Sequence, residues 1–276
     1  MATVLITGCS TGFGLLTAVE LATRGHRVYA SMRDTDKAGA LREALDTAGA
    51  AAQVVRLDVT DPASIASAVD EVLAAAGSID VVVNNAGVAA VSPVEELAVD
   101  ELARIFETNV FGPLRVVHAV LPLMREAGRG HVVNVTSVAA FVAPPFMGAY
   151  AASKHAIDAL GEALAAEVAP FGIAVTNVAP GPYLTAMVAA VGDERAAIDP
   201  DSPYAARRHT MLDHHEAAMR RNDDPEAVAV AVADAIEADP PPARVVVPEA
   251  STFIVQARGA TPPEQLRSML AQSYGV

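Results

Sequence analysis

The sequence predicts an α/β protein: one domain on an open, doubly wound parallel sheet of about seven strands with helices on both faces. Three observations predict it. Short β-branched runs alternate with longer Ala/Leu-rich runs along the chain, the pattern of strand–helix–strand crossovers. The strand-like runs are apolar at both alternations, as expected of parallel strands buried on both faces. The polar and glycine-rich departures from this pattern follow the same end of successive strands, and an open parallel sheet binds its ligands outside the carboxyl ends of its strands.

Residues 4–7 form the first strand-like run, which leads at once into a glycine-rich turn and then a helical pattern over 14–24. The second strand, 27–32, ends in Ser31-Met32-Arg33-Asp34 and precedes a helix over 37–48. The third, 53–58, closes on Asp58 and is followed by helix 62–76. The fourth, 81–84, delivers Asn84-Asn85-Ala86-Gly87, after which one long helix is predicted over 99–125. The fifth, 131–136, ends in Thr136 and Ser137, and helix 150–169 follows an apolar connection. The sixth, 173–178, runs into Pro180-Gly181. A long irregular insert over 184–224 precedes helix 225–238, for which Asp224 is the expected N-cap and Pro225 the first helical residue. Residues 244–247 form the seventh strand, and Thr261-Pro262-Pro263-Glu264 has the pattern of a capping box opening a last short helix. The crossovers should be right-handed.

The 276 residues are 52% hydrophobic, enough for a sizeable core, and the breaker clusters at 200–203, 223–225 and 239–242 are too short to be interdomain linkers. The expectation is a single domain over 1–276 with a substrate lid around 184–224 and a short C-terminal helical tail. There is no apolar run long enough for a membrane span. The N-terminus enters the first strand with no secretory signal, and the single Cys9 excludes an intrachain disulfide; both suit a cytoplasmic protein. A net charge of −14, dispersed along the chain, disfavours nucleic acid and anionic membranes as partners.

Gly8, Gly12 and Gly14 separate the first strand from the first helix. Glycine tolerates positive φ and lets a phosphate approach the backbone, while a helix N-terminus presents free N–H groups and a positive dipole end. The spacing is not G-x-G-x-x-G, but the strand–turn–helix context is the one a dinucleotide pyrophosphate needs. An ordinary glycine-rich turn is the plain alternative. NAD-selective sites place an acidic residue at the end of the second strand. Met32 takes that position here, and Arg33 after it suits a 2′-phosphate. The reading therefore favours NADP over NAD. Asp34 opposes it, because a one-residue shift in register would make Asp34 the acidic partner.

The chain holds two lysines, Lys37 and Lys154, against seventeen arginines. Arg serves wherever a generic positive charge is wanted, so Lys154 marks a site that needs a compact ammonium. Tyr150 precedes it by four residues, on the same helix face. A phenol beside an ammonium is a proton donor or acceptor with a depressed pKa. A surface pair that happens to be spaced by four is the bland alternative.

The segment 7–14, Asn84-Asn85-Ala86-Gly87, Asn109, Ser137, Tyr150-x-x-x-Lys154 and Pro180-Gly181 together resemble the short-chain dehydrogenase/reductase family, in order and over roughly residues 3 to 190. Thr7-Gly8-Cys9-Ser10, with residues 28–34, is most similar to the branch containing 17β-hydroxysteroid and retinol dehydrogenases. The resemblance implies a Rossmann fold and an NAD(P)-dependent oxidoreductase. It implies Tyr150 as general acid/base, Lys154 as the group that lowers the phenol's pKa and holds the nicotinamide ribose, Ser137 as the group orienting the substrate oxygen, and Asn109 as the holder of a water linking Lys154 to solvent. Gly8, Ser10, Gly12, Phe13 and Gly14 would line the pyrophosphate site. Asp58 and Val59 would flank adenine, and Asn85, Ala86 and Gly87 would pass beneath the adenosine ribose. Pro180, Gly181 and Thr185 would close over the nicotinamide end, where the extra Pro182 shifts the geometry.

Residues 138–147 are unusually apolar for a loop. Val138, Phe141, Val142 and Phe146, with Tyr183 after the sixth strand, are candidate walls of a substrate pocket. Packing under the core or at a subunit contact is the alternative. A ketone or secondary alcohol on a bulky apolar frame would suit such walls. His209, His214 and His215 lack the defined ligand shell of a metal site, so no metal is expected. Ala156, Ala159, Ala163 and Ala166 give helix 150–169 many small residues, and the resemblance implies a homodimer or homotetramer. Three readings compete: an NAD-dependent dehydrogenase of the same family, a non-catalytic dinucleotide sensor, and a methyltransferase with a similar glycine loop. The sensor gives no reason for Tyr150 and Lys154, and the methyltransferase none for Ser137 beside them.

Overall fold

The computed structural model describes residues 1–183, 195–221 and 224–274. The strands are β1 (Thr3–Ile6), β2 (Arg27–Met32), β3 (Gln53–Arg56), β4 (Val81–Asn84), β5 (Gly130–Val135), β6 (Ile173–Pro180) and β7 (Arg244–Val247). They form one parallel sheet in the order β3-β2-β1-β4-β5-β6-β7. The order reverses between β1 and β4, and a crevice outside the carboxyl ends at such a reversal is where this architecture binds ligands. The helices are α1 (Gly12–Thr23), α2 (Gly39–Ala48), α3 (Pro62–Ala76), α4 (Val99–Phe106), α5 (Gly112–Ala127), α6 (Gly148–Val168), α7 (Ala205–Arg221), α8 (Glu226–Glu237), α9 (Thr252–Ala260) and α10 (Pro263–Ser273).

Alternate strand residues feed two apolar layers, as the two-residue period of a strand requires. Leu5, Tyr29, Val82 and Val132 meet Ile65, Val72, Val116 and Val120 of α3 and α5 on one face. Val4, Ile6, Val28, Val83 and Val133 meet Ala18, Leu21, Leu41 and Val232 of α1, α2 and α8 on the other. The doubly wound parallel sheet expected from the sequence is the one observed. Among the described residues, no helix is long and apolar enough to cross a membrane.

Four local expectations are corrected. The helix over 99–125 is broken: α4 and α5 are joined by a π turn over Glu107–Phe111. Pro113 near the start of α5 lacks an N–H, and the wide turn carries Asn109 into the interior, where it is 1% exposed. Helix α8 starts one residue late, with Pro225 rather than Asp224 at the N-cap position and no side-chain cap. The capping box at Thr261 does not form, because the Thr261 N–H bonds to the Ala257 carbonyl and closes α9, leaving Pro262 as the N-cap of α10. The insert over 184–224 is not irregular throughout, since it contains the 17-residue α7; residues 184–194 and 222–223 lie outside those described.

A buried amide ladder seats α6 on the sheet. Asn84, Asn134 and Asn177 are register partners in β4, β5 and β6. Asn84 Nδ2 donates to Asn134 Oδ1 at 3.0 Å, Asn134 Nδ2 to Asn177 Oδ1 at 3.0 Å, and Asn177 Nδ2 to the backbone oxygen of Asp158 in α6 at 2.9 Å. Gly161 lies directly over the ladder, where a Cβ would stand 2.3 Å from Asn177 Oδ1. Both amides are committed, so they cannot give way. Gly161→Ala is expected to lower stability by about 1–3 kcal/mol, the usual cost of overpacking. Urea unfolding with an unchanged midpoint would show that α6 is not seated this closely.

Candidate active site

The turn after β1 is shaped by glycine. Gly8 and Gly12 take φ of +76° and +59°, in the left-handed region. A Cβ on Gly14 would stand 2.4 Å from both Gly8 O and Asn85 Nδ2, and one on Gly8 would stand 2.8 Å from Ala86 Cα. The turn therefore closes against the segment after β4 with no room for side chains. Thr7, to which the sequence reading gave no role of its own, ties the two together: its Oγ1 accepts from the N–H groups of Asn85 and Ala86, each at 3.0 Å. Asn85 Nδ2 returns bonds to the carbonyls of Thr7 at 2.9 Å and Gly8 at 3.1 Å. Thr11, the N-cap of α1, makes no side-chain cap, so the first N–H groups of α1 have no capping side chain in their way. Ser10 is half-buried in this turn, and the Phe13 ring packs edge-on against Tyr183 at 5.8 Å.

At the end of β2, Met32 is buried and Arg33 is exposed. Asp34 Oδ1 accepts from the Asp36 N–H at 3.1 Å and caps a 3₁₀ turn over Thr35–Ala38, so this carboxylate serves its own loop. Arg56, the register partner of Met32, ends β3 beside them. Burial would raise the Asp58 carboxyl, but hydrogen bonds from Thr60 and the charges of Arg33 and Arg56 outweigh it and hold it below the usual carboxylate range. Val59 packs under α5, where a Cβ on Gly112 would come within 2.8 Å of Val59 Cγ2.

Tyr150 and Lys154 lie on α6, both buried. Lys154 Nζ donates to the Val135 carbonyl at the end of β5 at 2.9 Å and stands 5.7 Å from the centroid of the Tyr150 ring. Ser137 caps the 3₁₀ turn Val138–Ala140 by accepting from the Ala139 N–H at 3.1 Å, and its hydroxyl lies beside the Tyr150 phenol. Asn109 is placed by the π turn: Oδ1 accepts from Val88 N–H at 2.8 Å, and Nδ2 donates to Val88 O at 2.8 Å and Ser153 Oγ at 2.9 Å. Ser153 Oγ in turn donates to the Tyr150 carbonyl at 2.7 Å. Gly87 fits between Asn109 and Lys154, with its Cβ position 3.4 Å from Asn109 Oδ1 and 3.8 Å from Lys154 Nζ.

The electrostatics of this group depart from the expectation of a depressed phenol. Burial pushes Tyr150 above its ordinary value, with the Ser137 hydroxyl pulling the other way. Burial also brings the Lys154 ammonium down to about 8. In this dry setting desolvation drives each group toward its neutral form.

The phenol sits in an apolar cluster with Val91, Met147, Ile198, Met211 and Leu212, against which Phe146 and Tyr274 pack. Helix α7 brings Met211 and Leu212, and it is fastened by Arg208 Nη2 donating to the Val91 carbonyl at 2.8 Å. Phe146 takes a φ of +63°, a strained conformation for an aromatic residue, and its carbonyl accepts from the Ser92 N–H at 2.8 Å. The other proposed wall residues are placed differently. Val138 is buried beside Ser137. Phe141 lies under the Arg244 guanidinium at 4.9 Å and, with Val142, lines a separate cavity. Tyr183 packs with Phe13, Val228 and Val247, away from the cluster around Tyr150. Pro180 is the last residue of β6, Gly181 N–H bonds to the Val247 carbonyl at 2.6 Å, and Thr185 lies outside the described residues. Sequence reasoning did not find Val91, Ile198, Met211, Leu212 or Tyr274. The apolar spacing of Met211, Leu212 and Met219 on the buried face of α7 was the available signal.

Residues 2–196 match the family model described as short chain dehydrogenase. The chain is 37% identical over 251 residues to retinol dehydrogenase 8 of Bos taurus, covering 88% of this chain and 80% of that protein. It is 36% identical over 255 residues to 17-beta-hydroxysteroid dehydrogenase type 1 of Homo sapiens, covering 89% and 77%. Among solved structures it is similar to a short-chain dehydrogenase from Streptomyces avermitilis, with a TM-score of 0.80, 32% identity, and 100% and 98% of the two chains covered. A short-chain dehydrogenase/reductase from Burkholderia phymatum in complex with NAD gives a TM-score of 0.81 at 27% identity, covering 94% and 93%. Actinorhodin polyketide ketoreductase with NADPH gives 0.77 at 31% identity, covering 89% and 95%. With the glycine turn, the ordered polar set and these similarities in agreement, the chain belongs to the short-chain dehydrogenase family, in the branch that contains the 17β-hydroxysteroid and retinol dehydrogenases.

Proposed function

We propose that the protein is an NADP(H)-dependent oxidoreductase that interconverts a ketone and a secondary alcohol on a bulky apolar frame. The approach of Ser137 and Lys154 to Tyr150, whose ring packs in an apolar cluster, carries this reading. The cradle fits a dinucleotide: no side chain can occupy Gly8 or Gly14, and the start of α1 carries no side-chain cap. Gly8, Ser10, Gly12, Phe13 and Gly14 would hold the pyrophosphate, Asp58 and Val59 would flank the adenine, and Asn85, Ala86 and Gly87 would support its ribose. Pro180, Gly181 and Thr185 would close the nicotinamide end.

When bound, the nicotinamide supplies or accepts the hydride. Tyr150 gives a proton to the substrate oxygen as it gains charge, or removes one in the reverse direction, which is typically worth about 10² to 10⁴ in rate. Ser137, able both to donate and to accept, holds the same oxygen at a fixed distance from the phenol. Lys154 would hold the nicotinamide ribose, and its positive charge eases loss of the phenolic proton. Asn109 positions the Tyr150–Lys154 helix through Ser153.

NADP is favoured over NAD because Arg33 is exposed with no ion pair among the described residues, Arg56 lies beside it, and Asp34 caps its own turn. Arg33→Ala is expected to weaken NADPH at least tenfold and NADH less than threefold, read by the fluorescence of the reduced nicotinamide. Equal losses for the two would sink the preference. Titration with NADPH, NADH and S-adenosylmethionine, followed by turnover with a panel of apolar ketones, tests the wider reading. Nicotinamide binding without turnover would favour a sensor, and binding of S-adenosylmethionine alone a methyltransferase.

Residues 184–224 would act as the substrate lid, with α7 within its described part, and α9 and α10 as the C-terminal tail. A homodimer or homotetramer through α5 and α6 is supported by Phe111 and Leu160, 42% and 40% exposed beside the small residues of α6. The lone buried Cys9 fits a cytoplasmic setting.

A further inference from the structure

A cavity of about 360 Å³ lies outside the catalytic cluster, between the connection after Ser137 and the C-terminal helices α9 and α10. None of Ser137, Tyr150 and Lys154 lines it. Phe141, Val142, Leu266 and Leu270 supply its apolar wall. The Arg244 guanidinium sits over the Phe141 ring at 4.9 Å, which keeps that wall in place. The charged part of the wall is cationic, Arg258 of α9 and Arg267 of α10, and His155 of α6 adds an imidazole. The His155 Nδ1 bonds to the Ala151 carbonyl at 2.8 Å, and a carbonyl only accepts, so Nδ1 carries the proton of that bond and the ring is held by its own helix.

Among the described residues, some arginines of this chain are paired with carboxylates and others, such as Arg33, are not. Arg24, Arg104, Arg115, Arg129, Arg195, Arg208, Arg220 and Arg244 each approach a carboxylate within 4.0 Å. Arg258 and Arg267 make no ion pair or hydrogen bond among the described residues, although the net charge is −14. No Asp or Glu lines the cavity. An apolar cleft with unpaired guanidiniums on its wall complements a molecule with an apolar body and one anionic head, and its volume falls within the usual range for small-molecule sites.

We propose that this cavity binds an amphipathic anion, with a carboxylate or phosphate head met by Arg258 and Arg267 and an apolar chain laid against Phe141, Val142, Leu266 and Leu270. The proposal does not depend on the hydride-transfer reading, because the two sites share no side chain. The chain has no tryptophan, so Leu270→Trp places a single indole on the cavity wall. Titration of the full chain with decanoate or decyl phosphate is expected to change its emission saturably, the pair of probes separating a carboxylate from a phosphate preference. Decanol should bind at least tenfold more weakly than the better anion. Adding Arg258→Gln and Arg267→Gln should raise the Kd for that anion at least tenfold, with the melting midpoint and NADPH affinity unchanged. Calorimetric titration of the chain with its native Leu270, with and without the two arginine substitutions, gives the same comparison if the tryptophan variant fails to fold. Decanol binding as tightly as the anions, an affinity unchanged by loss of both arginines, or failure of both anions to bind the unaltered chain would overturn the proposal.

Discussion

Tyr150→Phe is expected to reduce turnover to below a tenth of the wild-type rate, by about 10² to 10⁴, while cofactor affinity stays within about twofold. The substitution removes one oxygen and keeps the ring. That ring packs with Val91, Met147, Ile198, Met211 and Leu212, so its position should survive. The nucleotide cradle is built from Thr7, Gly8, Gly14, Asn85 and Ala86, and none of its bonds involves the phenol. Among the described residues the hydroxyl has one hydrogen-bonding side-chain neighbour, Ser137, and that residue keeps its bond from the Ala139 N–H after the change. The loss should therefore fall on kcat rather than on nucleotide binding. Steady-state rates with an apolar ketone, paired with NADPH fluorescence titration, separate the two. A variant that kept more than a tenth of the rate would remove the proton-transfer role from Tyr150, and Ser137, the adjacent hydroxyl, would become the group to test.

The same comparison shows what could be read without coordinates. Strands buried on both faces leave no place for polar chemistry except their ends, so Gly8, Asn85, Ser137 and Gly181 could be assigned to one rim of the sheet from the sequence alone. The order of the strands, reversing between β1 and β4, then brings the first two of these together. The π turn at Asn109 was not legible. The apolar spacing runs on through 99–125, and the cause of the break is tertiary: the Asn109 amide reaches Val88 and Ser153, which lie in other segments. The apolar chamber was only partly legible. Phe146 was found because it lies in the apolar loop between Ser137 and Tyr150, whereas Met211 and Leu212 arrive on a helix with no motif. Proximity in sequence also misled, since Phe141 turns under Arg244 and Tyr183 turns toward Phe13. Burial was the other missing quantity. The spacing of Tyr150 and Lys154 shows that they are neighbours, but the depth that raises the phenol and lowers the ammonium appears only in three dimensions.

That depth gives the second large effect. Lys154→Met is expected to stabilise the cofactor-free protein at pH 7 while lowering both turnover and NADPH affinity, turnover by at least about 100-fold. Burial brings the Lys154 ammonium from its ordinary 10.5 to about 8. At pH 7 the group is charged in both folded and unfolded chains, and the folded chain carries the full cost of that displacement, about 3 kcal/mol. Methionine fills a similar volume without charge, but it forfeits the bond to the Val135 carbonyl. The net gain should be about 1–2 kcal/mol, a rise in Tm of roughly 2–8 °C. The pH dependence fixes the sign. Between about 8 and 10.5 the folded wild-type chain has released a proton that the unfolded chain still holds, so wild-type stability from this group rises with pH. The advantage of the variant should therefore be full below pH 8, shrink through that window and level off above it. Urea unfolding of both proteins at pH 7, 9 and 10.5, without added nucleotide, measures it. A variant less stable than wild type at pH 7, or an advantage that grows with pH, would mean that the ammonium is well solvated, and the account of Lys154 as a charge held in a dry site for the sake of catalysis would fail with it.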